Sequence, residues 1–344
     1  MGKQAGGETG LVGAATAGDD DAFRRLVDPI RGELHLHCYR MLGSFHDAED
    51  VLQDAQLKAW RSLHTYDGRA SFRTWMFRVA TNACLDALRT RRRRVLPQDI
   101  SDARDPVLGL GDQRHDIPWL EPYPDAYLPR PDPAAAAELR ESVRLAFIRV
   151  LQILPPRQRA VLILRDVLDW KATEVATALG TSVAAVNSSL QRARATTAQR
   201  GSKTASAQTQ GVRERQRAEV AAQYIRAWEA GDIEAIVSML TVDAIHAMPP
   251  WAAWFAGRQA LRVLYTGYEI WGERPGPGVF RVLPTAMNGE LAFAEYCREA
   301  PGRPYRALAL TVATLDSFGT HIAEKVSFVS SELLVRLGFP GELE

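Results

Sequence analysis

The stretch RQRAVLILRDVLDWKATEVATALGTSVAAVNSSLQRARA, residues 157–195, carries the most specific pattern in this chain. Apolar residues at helical spacing predict one helix over 157–168, a second over about 172–179 after which the chain turns at Gly180, and a third that begins with Ser182 as N-cap. The positions that pack the last two helices together are Ala176, Leu179, Val183, Val186 and Leu190. This is the pattern of a helix-turn-helix, whose last helix enters the DNA major groove.

Polar side chains follow the outward face of the predicted third helix. Asn and Gln can pair bidentately with adenine, and Arg can read guanine or hold a phosphate. A plain helical hairpin with a polar face would have the same composition, so that alternative stays open. The predicted DNA-contacting residues are Ser182, Ala185, Asn187, Ser188, Gln191, Arg192 and Arg194.

Length and composition limit the class of protein. With 344 residues and a formal net charge of +1, the chain is expected to form two or three ordinary globular domains. Its first residues, MGKQAGGETGLVGAATAGDDD, lack the charged start and long apolar core of a signal peptide, and no run of apolar residues is long enough to span a membrane. The three cysteines are scattered, so no disulfide framework is indicated and a reducing cytoplasm is the expected location.

The near-zero net charge conceals three blocks of opposite sign. Residues 89–94, RTRRRR, hold five arginines in six positions. Residues 95–137 hold eight acidic residues against three arginines, a net charge of −5, and 138–200 hold ten basic against five acidic residues, a net charge of +5. Blocks of this kind indicate charged partners rather than a particular fold.

The same composition shifts predict the domain organisation. Helical periodicity fills two segments, an acidic proline-rich segment separates them, and the last third changes to a pair of helices followed by β-prone runs such as YRALALTVATLDSFG. The predicted fold class is therefore multidomain, two all-α domains followed by an α+β domain. The predicted boundaries are a disordered N-terminus at 1–19, helical domains at 20–94 and 138–199, linkers at 95–137 and 200–211, and the α+β domain at 212–344.

Three motifs in order, HCYRMLGSFHDAEDVLQDAQLKAW, YDGRASFRTWMFRVATNACLDALRTRRRR and LPPRQRAVLILRD with ATEVATALGTSVAAVNSSLQRARA, resemble the sigma-70 type initiation factors of bacterial RNA polymerase, specifically the extracytoplasmic-function group. The resemblance covers about residues 20–199. It implies a non-catalytic subunit that binds core polymerase and directs transcription initiation at specific promoters. It also implies that the first helical domain reads and melts the −10 element and the helix-turn-helix binds the −35 element.

Within the first motif, Asp47, Asp50 and Asp54 form an acidic stripe beside an apolar one. The resemblance implies that this stripe, with Gln53, binds a basic coiled coil of the largest polymerase subunit through charge-assisted hydrogen bonds. Acidic residues are also favoured near helix N-termini by the helix dipole, which is the alternative explanation.

The second motif is similar to the helix and loop that face the −10 element. Strand opening requires non-template bases to leave the stack and be held by aromatic and polar groups. The arginines at 91–94 are expected to bind phosphates without sequence preference, and Trp75, which falls in the apolar stripe, is predicted to be core. The residues expected to meet double-stranded promoter DNA and the single non-template strand are Tyr66, Arg69, Asn82, Asp86, Arg89, Arg92 and Arg93.

The third motif departs from the family in its last helix. Asn187 and Ser189 stand where relatives commonly carry basic residues. Fewer phosphate contacts are available as a result, so weaker −35 binding is expected.

The linker at 95–137 includes IPWLEPYPDAYLPRPDP, with six prolines and three aromatic residues. Prolines keep such a segment extended. The resemblance implies that it threads the basic active-site cleft and RNA exit path of polymerase as an acidic mimic of nucleic acid. Its aromatic residues indicate a docked segment, on polymerase or on this chain's own C-terminal domain; a surface loop with incidental aromatics is the alternative.

Residues 212–340 resemble the SnoaL-like, nuclear-transport-factor-2-like fold, a curved sheet around a cone-shaped pocket. We expect this domain to contact the linker and helical domains in cis and to modulate activity, with an unidentified small ligand as a candidate partner. His246, Glu295 and Asp316 are the only candidates for acid–base catalysis, and no spacing ties them together. An aromatic core would explain the candidate pocket residues equally well; these are His246, Trp251, Trp254, Tyr268, Trp271 and Tyr296.

No catalytic residue, cofactor or metal site is therefore predicted. His35 and His37 lie two positions apart, so they project to different faces of a helix and do not form a metal site. Two rival functions remain: a ligand-responsive helix-turn-helix regulator, and an enzyme of the SnoaL-like class with a DNA-binding appendage. The acidic stripe argues against the first, and the missing carboxylate–histidine constellation argues against the second.

Overall fold

The chain divides into two compact units, neither of which is continuous in sequence. In the computed structural model, which describes residues 2–129, 133–200, 210–267 and 276–344, one unit combines Met1–Arg94 with Tyr127–Gly201. The other combines Val95–Ala126 with Ser202–Glu344. The acidic segment thus belongs mainly to the C-terminal unit.

The first unit is entirely helical. Side-chain caps set where its N-terminal helices begin, as when the Oγ of Ser71 accepts a hydrogen bond from the backbone N–H of Thr74 at 3.1 Å. Gly43, with φ of 72°, ends one helix in a left-handed conformation that glycine adopts without strain. Before the acidic segment the helices are α1 (Gly2–Thr16), α2 (Asp20–Leu42), α3 (Phe45–Ser62) and α4 (Phe72–Ala87). After it they are α5 (Pro133–Glu141), α6 (Leu145–Ile153), α7 (Pro156–Leu162), α8 (Ala172–Leu179) and α9 (Val183–Arg200).

The prediction of a disordered N-terminus at 1–19 is wrong. Gly2–Thr16 forms a helix in which Ala15 is buried and Leu11 and Val12 are half-buried. The carboxylate of Glu8 also accepts a hydrogen bond from the backbone N–H of Phe72 at 3.1 Å. Tertiary packing therefore stabilises a glycine-rich helix whose intrinsic propensity is low.

The helices on either side of the acidic segment pack against each other inside the first unit, although the sequence predicted separate domains. Arg159 is only 2% exposed and donates hydrogen bonds to the carbonyl oxygens of Met41 and Leu154. Gln152 donates to the carbonyl oxygen of Arg40 at 3.3 Å, and the Arg40 guanidinium donates to the Oγ of Ser142 at 2.6 Å. We call Arg40, Ser142, Gln152 and Arg159 the polar latch.

Four antiparallel pairs and one parallel pair build the main sheet of the C-terminal unit. The strand order is β2-β1-β6-β5-β4-β3, with β1 parallel to β6, and a short seventh strand pairs with β5. The strands are β1 (Leu240–Ala247), β2 (Trp254–Ala256), β3 (Phe280–Met287), β4 (Glu290–Cys297), β5 (Tyr305–Leu315), β6 (Ile322–Phe328) and β7 (Glu342–Leu343). The helices are α10 (Gln210–Ala230), α11 (Ile233–Ser238), α12 (Arg258–Thr266) and α13 (Ser331–Arg336).

Helices followed by a mixed sheet confirm the predicted fold class, including a C-terminal α+β domain of the SnoaL-like type. The predicted β-prone runs, among them YRALALTVATLDSFG, correspond to β3, β4, β5 and β6, and the predicted pair of helices corresponds to α10 and α11. The sequence missed β1, whose burial does not alternate regularly, and β2, which has only three residues. Of the predicted linker at 200–211, Arg200 ends α9 and Gln210 begins α10, and the residues between them lie outside the described part of the chain.

The boundaries predicted for the acidic linker, 95–137, also need correction. Residues 95–126 are built into the C-terminal unit, and Pro133 already begins α5. Leu110 joins the hydrophobic core of the C-terminal domain, and Tyr123 is fully buried. Tyr123 and Asn288 exchange two hydrogen bonds of 2.8 Å, from the Tyr123 N–H to the Asn288 Oδ1 and from the Asn288 N–H to the Tyr123 carbonyl oxygen. An extended proline-rich chain suits this arrangement because its remaining backbone groups can pair with an adjoining surface.

No helix in the described part of the chain is long and apolar enough to cross a membrane.

Candidate functional site

The predicted acidic stripe lies on α3, and the structure divides it into two parts. Asp50, Gln53 and Asp54 have accessible side chains. Asp47 instead forms ion pairs with Arg91 at 2.7 Å and Arg94 at 2.6 Å, within the same unit. The free face of α3 therefore consists of Asp50, Gln53 and Asp54, whereas Asp47 holds the arginine-rich segment against the helix.

Leu57 extends this face by one turn, and sequence reasoning missed it. Its side chain is 54% exposed, although it lies on a helix whose other large apolar residues are mostly buried. Residues at i, i+3, i+4 and i+7 share one side of a helix, which places Leu57 in line with Asp50, Gln53 and Asp54. The signal was available in the sequence as an apolar residue on the acidic side of the helical pattern.

Glu49 and His35 lie beside the α3 face and affect its charge and the orientation of Gln53. Burial opposes ionisation of Glu49, but hydrogen bonds from Arg31 and Gln53 outweigh it and lower the pKa of the carboxyl group. Burial lowers the pKa of His35 to about 4, against the opposing effect of Glu49. Gln53 is thus oriented by a carboxylate that stays ionised near neutral pH.

The candidate −10 residues lie on α4, in the loop before it and in the segment after it. Asn82, Asp86, Arg89, Arg92 and Arg93 are all exposed. The helix ends at Ala87, so the arginines of 89–94 lie beyond its end. Closely spaced arginines repel each other along a helix, and two of the five turn back to Asp47. Arg89 consequently lies in the turn after the helix, where its guanidinium pairs with Asp86 at 3.2 Å.

The loop before α4 is ordered by its own contacts. Tyr66 is half-buried, its hydroxyl donates to the carbonyl oxygen of Ala70 at 2.8 Å, and its ring centroid lies 5.6 Å from that of Trp75. Arg69 is exposed and pairs with Asp67 at 3.2 Å. Trp75 is buried in the helical core, as predicted.

The helix-turn-helix of α8 and α9 has the predicted geometry. Gly180 adopts φ of 59° at the turn, and the Oγ of Ser182 accepts a hydrogen bond from the backbone N–H of Ala185 at 3.2 Å. The helix predicted at 157–168 instead divides into α7 and a π-helical turn over Ile163–Val167. The candidate residues with polar groups toward solvent are Ser182, Asn187, Ser188, Gln191 and Arg192.

Ala185 and Arg194 fit the predicted DNA surface less well. Ala185 has no polar side-chain group, and Arg194 donates two hydrogen bonds to the carboxylate of Asp166, at 2.9 and 2.7 Å. Arg165, Asn187, Leu190 and Gln191 line a shallow depression together with Arg194. The guanidinium of Arg194, which the sequence assigned to DNA, is thus paired with Asp166 in the structure.

Two of the predicted pocket residues of the C-terminal domain contact the acidic segment instead of facing a ligand cavity together with the others that the structure describes. Trp254 donates from Nε1 to the carbonyl oxygen of Ser101 at 2.8 Å, and Trp251 forms a β-bridge with Gln113, so both contact the acidic segment. Tyr296 is fully buried, and burial raises its pKa. Tyr268 and Trp271 lie outside the described residues.

Two of the three candidate catalytic residues lie on the same face of the sheet, separated by two intervening strands. His246 and Glu295 lie on the face of the sheet that α10 and α12 cover, where they contact Tyr265 and Tyr224. Asp316 instead accepts a hydrogen bond from the backbone N–H of Thr320 in the turn between β5 and β6. Strand register explains this grouping, because His246 pairs with Lys325, and Thr311 on the intervening strand β5 pairs with Ser327. We call His246, Glu295, Thr311, Lys325 and Ser327 the inner polar face.

Hydrogen bonds connect most of this face. The Tyr224 hydroxyl donates to Oε1 of Glu295 at 2.6 Å, and Thr311 and Ser327 share a hydrogen bond of 2.7 Å. His246 contacts Ser327 through Nε2 at 2.9 Å and the Tyr265 hydroxyl through Nδ1 at 3.1 Å. Burial lowers the pKa of His246 well below its usual value and raises the pKa of Glu295. The sequence missed Lys325, whose only signal was a lysine in the inward register of a strand.

Among the described residues, no group of three or more His, Cys, Asp or Glu side chains is arranged to hold a metal ion. His35 and His37 are instead buried in α2, where Nε2 of His37 lies 2.8 Å from the Oγ1 of Thr81.

Two sequence families match this chain. Sigma-70 region 2 matches residues 26–94, and Sigma-70, region 4 matches residues 144–196. These ranges contain the α3 face, the candidate −10 residues and the helix-turn-helix.

Relatives that match most of the chain extend the likeness to the C-terminal domain. The ECF RNA polymerase sigma factor SigG of Mycobacterium tuberculosis is 41% identical over 330 residues, covering 93% of this chain and 85% of SigG. SigJ of the same organism, also an ECF RNA polymerase sigma factor, is 31% identical over 297 residues, covering 84% of this chain and 85% of SigJ. The crystal structure of SigJ superposes with a TM-score of 0.58 at 24% identity, covering 91% of this chain and 98% of that one, which shows a shared fold.

Proposed function

This chain belongs to the extracytoplasmic-function sigma factors of RNA polymerase, and from that premise we propose how its surfaces divide the work of initiation. As a member of that family it directs promoter-specific transcription initiation by RNA polymerase. We assign it a non-catalytic role, in the cytoplasm, where bacterial RNA polymerase acts.

The α3 face binds core polymerase. The observation that carries this assignment is a row of accessible polar groups at Asp50, Gln53 and Asp54, followed by the exposed Leu57. Two carboxylates suit a basic partner, and an adjoining leucine adds apolar area at the centre of a charged contact. Asp47 contributes indirectly, by holding Arg91 and Arg94 away from this face.

The residues around α4 read the −10 element. Asn82 and Asp86 face solvent one helical turn apart, and the exposed Arg92 and Arg93 follow the end of the helix. Polar side chains on the helix suit unstacked bases, and the two arginines suit phosphates. The exposed Arg69 belongs to the loop before α4. In sequence it follows the half-buried Tyr66 and precedes Ser71, the N-cap of α4.

The N-terminal half of α9 reads the −35 element. Asn187 and Gln191 supply amide groups for base edges, and Arg192 supplies a cation that now bonds the Oγ of Ser188 at 2.6 Å. Because Arg194 is paired with Asp166, fewer cations are free for phosphates than the sequence indicates. This supports a −35 contact that depends on the −10 contact and on polymerase for its stability.

The polar latch must open before both elements can be read. The names of the two elements place them about 25 base pairs apart, or roughly 85 Å along B-DNA at about 3.4 Å per base pair. In the first unit, however, Phe77 of α4 and Trp170 just before α8 have ring centroids 6.3 Å apart. The latched form is therefore the free state, and polymerase binding selects the open one.

The acidic segment can bind either the C-terminal domain or the polymerase cleft, but not both at once. Its contacts with the C-terminal domain, such as the Tyr123–Asn288 pair, use backbone groups that an extended chain would need when threading the polymerase cleft. Docking on the C-terminal domain thus competes with docking on polymerase, which gives that domain a means of modulating activity in cis. Hydrogen exchange measures this directly: the amides of Tyr123 and Asn288 should lose protection when core polymerase binds, and unchanged protection would contradict the competition.

The function as a whole is tested by transcription in vitro. Core polymerase with the purified chain is given a DNA library randomised at the −10 and −35 positions, and transcripts are sequenced. We expect one class of promoter to be enriched over polymerase alone. Transcript profiles identical with and without the chain would overturn the assignment.

A further inference from the structure

Lys325 lies in the interior of the C-terminal domain, on the inner polar face. Its side chain is 1% exposed, and its Nζ has no hydrogen-bond partner among the described residues. The Nζ atom lies 4.8 Å from the ring centroid of Trp228, 5.1 Å from that of Tyr224 and 5.3 Å from that of Tyr265. Three aromatic rings thus surround an amine that makes no hydrogen bond to any described residue. Buried charged groups rarely lack such a partner.

The residue type is informative because this chain uses lysine so rarely. Its 42 basic residues include only five lysines: Lys3, Lys58, Lys171, Lys203 and Lys325. Arginine is the better residue for a buried cation, since it keeps its charge and offers five hydrogen-bond donors. The buried Arg159 is an example of this use in the same protein. A lysine differs by being able to lose its proton and act as a nucleophile.

We propose that Lys325 is a covalent binding site for a small, mostly apolar aldehyde or ketone, which it holds as a Schiff base. The neutral amine adds to the carbonyl carbon to form a carbinolamine, and a proton passes from nitrogen to oxygen. Water then leaves, so that one carbonyl compound and one amine give one imine and one water. The step needs no oxidant, reductant or co-reactant.

The neighbours of Lys325 suit this chemistry. Burial lowers the pKa of the Lys325 amine to about 8, against the opposing charge of Glu295, so a substantial fraction is neutral near physiological pH. Glu295, whose pKa burial raises, can carry the proton that the departing oxygen needs. His246 is kept neutral by its own burial and by Lys325, and it connects the face to Tyr265. The rings of Trp228, Tyr224 and Tyr265 provide an apolar lining for the rest of the ligand.

The aromatic cage also sets the conditions for entry. With rings within 5.3 Å of Nζ, a ligand reaches the amine only when an aromatic side chain rotates away. Small, uncharged carbonyl compounds are therefore the class that fits, and sugars or charged oxo acids are disfavoured because they would bring unpaired polar groups into the interior.

The test is reductive trapping on the full-length protein. The chain is treated with propanal and sodium cyanoborohydride at about pH 7.5, close to the pKa of the Lys325 amine, then digested, and each lysine peptide is measured by mass spectrometry. We expect Lys325 to acquire a propyl group about tenfold faster than the exposed Lys58 and Lys171, and to lose this advantage in urea. Labelling of Lys325 no faster than that of Lys58 and Lys171 in the folded protein would overturn the proposal.

Two variants separate chemistry from folding. Lys325→Arg keeps a buried cation but cannot form an imine, so it should remove the fast label while labelling at Lys58 continues. Glu295→Gln should retain the fold by circular dichroism and slow labelling at Lys325 about tenfold; equal rates would remove Glu295 from the step. None of these readouts involves polymerase, so the outcome is independent of the proposed function.

Discussion

The two units of this protein use their polar residues in opposite ways. In the helical unit, the groups assigned to partners are accessible: Asp50 and Asp54 on α3, and Asn187 and Arg192 on α9. In the C-terminal unit, the polar groups of interest are buried on one face of a sheet. Exposed groups keep their hydration and need no internal partner, whereas buried ones must be paired or carry shifted pKa values. The first pattern suits the proposed contacts with macromolecules, and the second suits the proposed small molecule.

The largest expected effect concerns the exposed side of this comparison. Asp50→Arg with Asp54→Arg should reduce binding to core polymerase at least about a hundredfold, since charge reversal replaces two attractions by two repulsions. Co-purification and affinity measurements with core enzyme check this. The matched control is Asp20→Arg with Asp28→Arg on α2, which makes the same charge change elsewhere. Equal losses in both variants would show that net charge, rather than the α3 face, matters.

The interior of the helical unit is sensitive to acid. Burial lowers the pKa of His37 to about 3 in the folded state. In the unfolded state this histidine binds a proton near the ordinary pKa of about 6.5, whereas in the folded state it stays neutral at that pH. Stability is therefore full above about pH 6.5 and falls as the pH drops toward the folded pKa. Gln can still donate a hydrogen bond to Thr81 and does not titrate in this range. Between about pH 6.5 and 4, the His37→Gln variant should therefore lose about 3 kcal/mol less unfolding free energy than the parent protein loses. Denaturant unfolding at both pH values measures it, and parallel curves for the two proteins would contradict this cause.

The interior of the C-terminal unit should respond in the alkaline range instead. The pKa of Lys325 is lowered to about 8 by burial, so between that pH and the ordinary lysine value the unfolded state binds more protons, and stability rises with pH. Lys325→Met removes this dependence, and its stability relative to the parent protein should fall by about 2 kcal/mol from about pH 7 to 9.5. A constant difference across that range would mean that the amine is not desolvated in solution.

Within the recognition helix, two exposed residues should separate in effect. Asn187→Ala should relax base preference at one −35 position, by about 1–2 kcal/mol, because its amide reads a base edge. Arg192→Ala should weaken all promoters similarly and flatten the salt dependence, because its guanidinium meets phosphate. Binding to a promoter library at two salt concentrations distinguishes these outcomes. If both variants bind like the parent protein, the face assigned to DNA is wrong.

The smallest effect is expected at the polar latch. Ser142→Ala removes the hydroxyl that accepts from Arg40 at 2.6 Å and should weaken the latched form by about 1 kcal/mol, raising the apparent affinity for core polymerase about fivefold. Ser238→Ala, which removes a hydroxyl bonded to the Ala235 carbonyl oxygen in the other unit, is the matched control. An unchanged affinity for Ser142→Ala would show that the latch does not oppose binding.

The sequence by itself determined the features that depend on residues close together in the chain. The helix-turn-helix, the N-cap at Ser182, the acidic stripe and four of the strands all follow from local spacing, because a helix or a turn brings near neighbours onto one face. The motifs that resemble sigma factors are of this kind, which is why the order of residues along the chain was enough to infer the family.

The tertiary structure alone decided which distant residues meet. Arg94 was predicted for phosphate and binds Asp47, Trp254 was predicted for a ligand pocket and binds Ser101, and Arg194 binds Asp166. The inner polar face, which brings His246 beside Lys325, arises from strand pairing across about eighty positions of sequence. Strand register and long-range ion pairs depend on how whole elements pack, and local spacing contains no information about that packing.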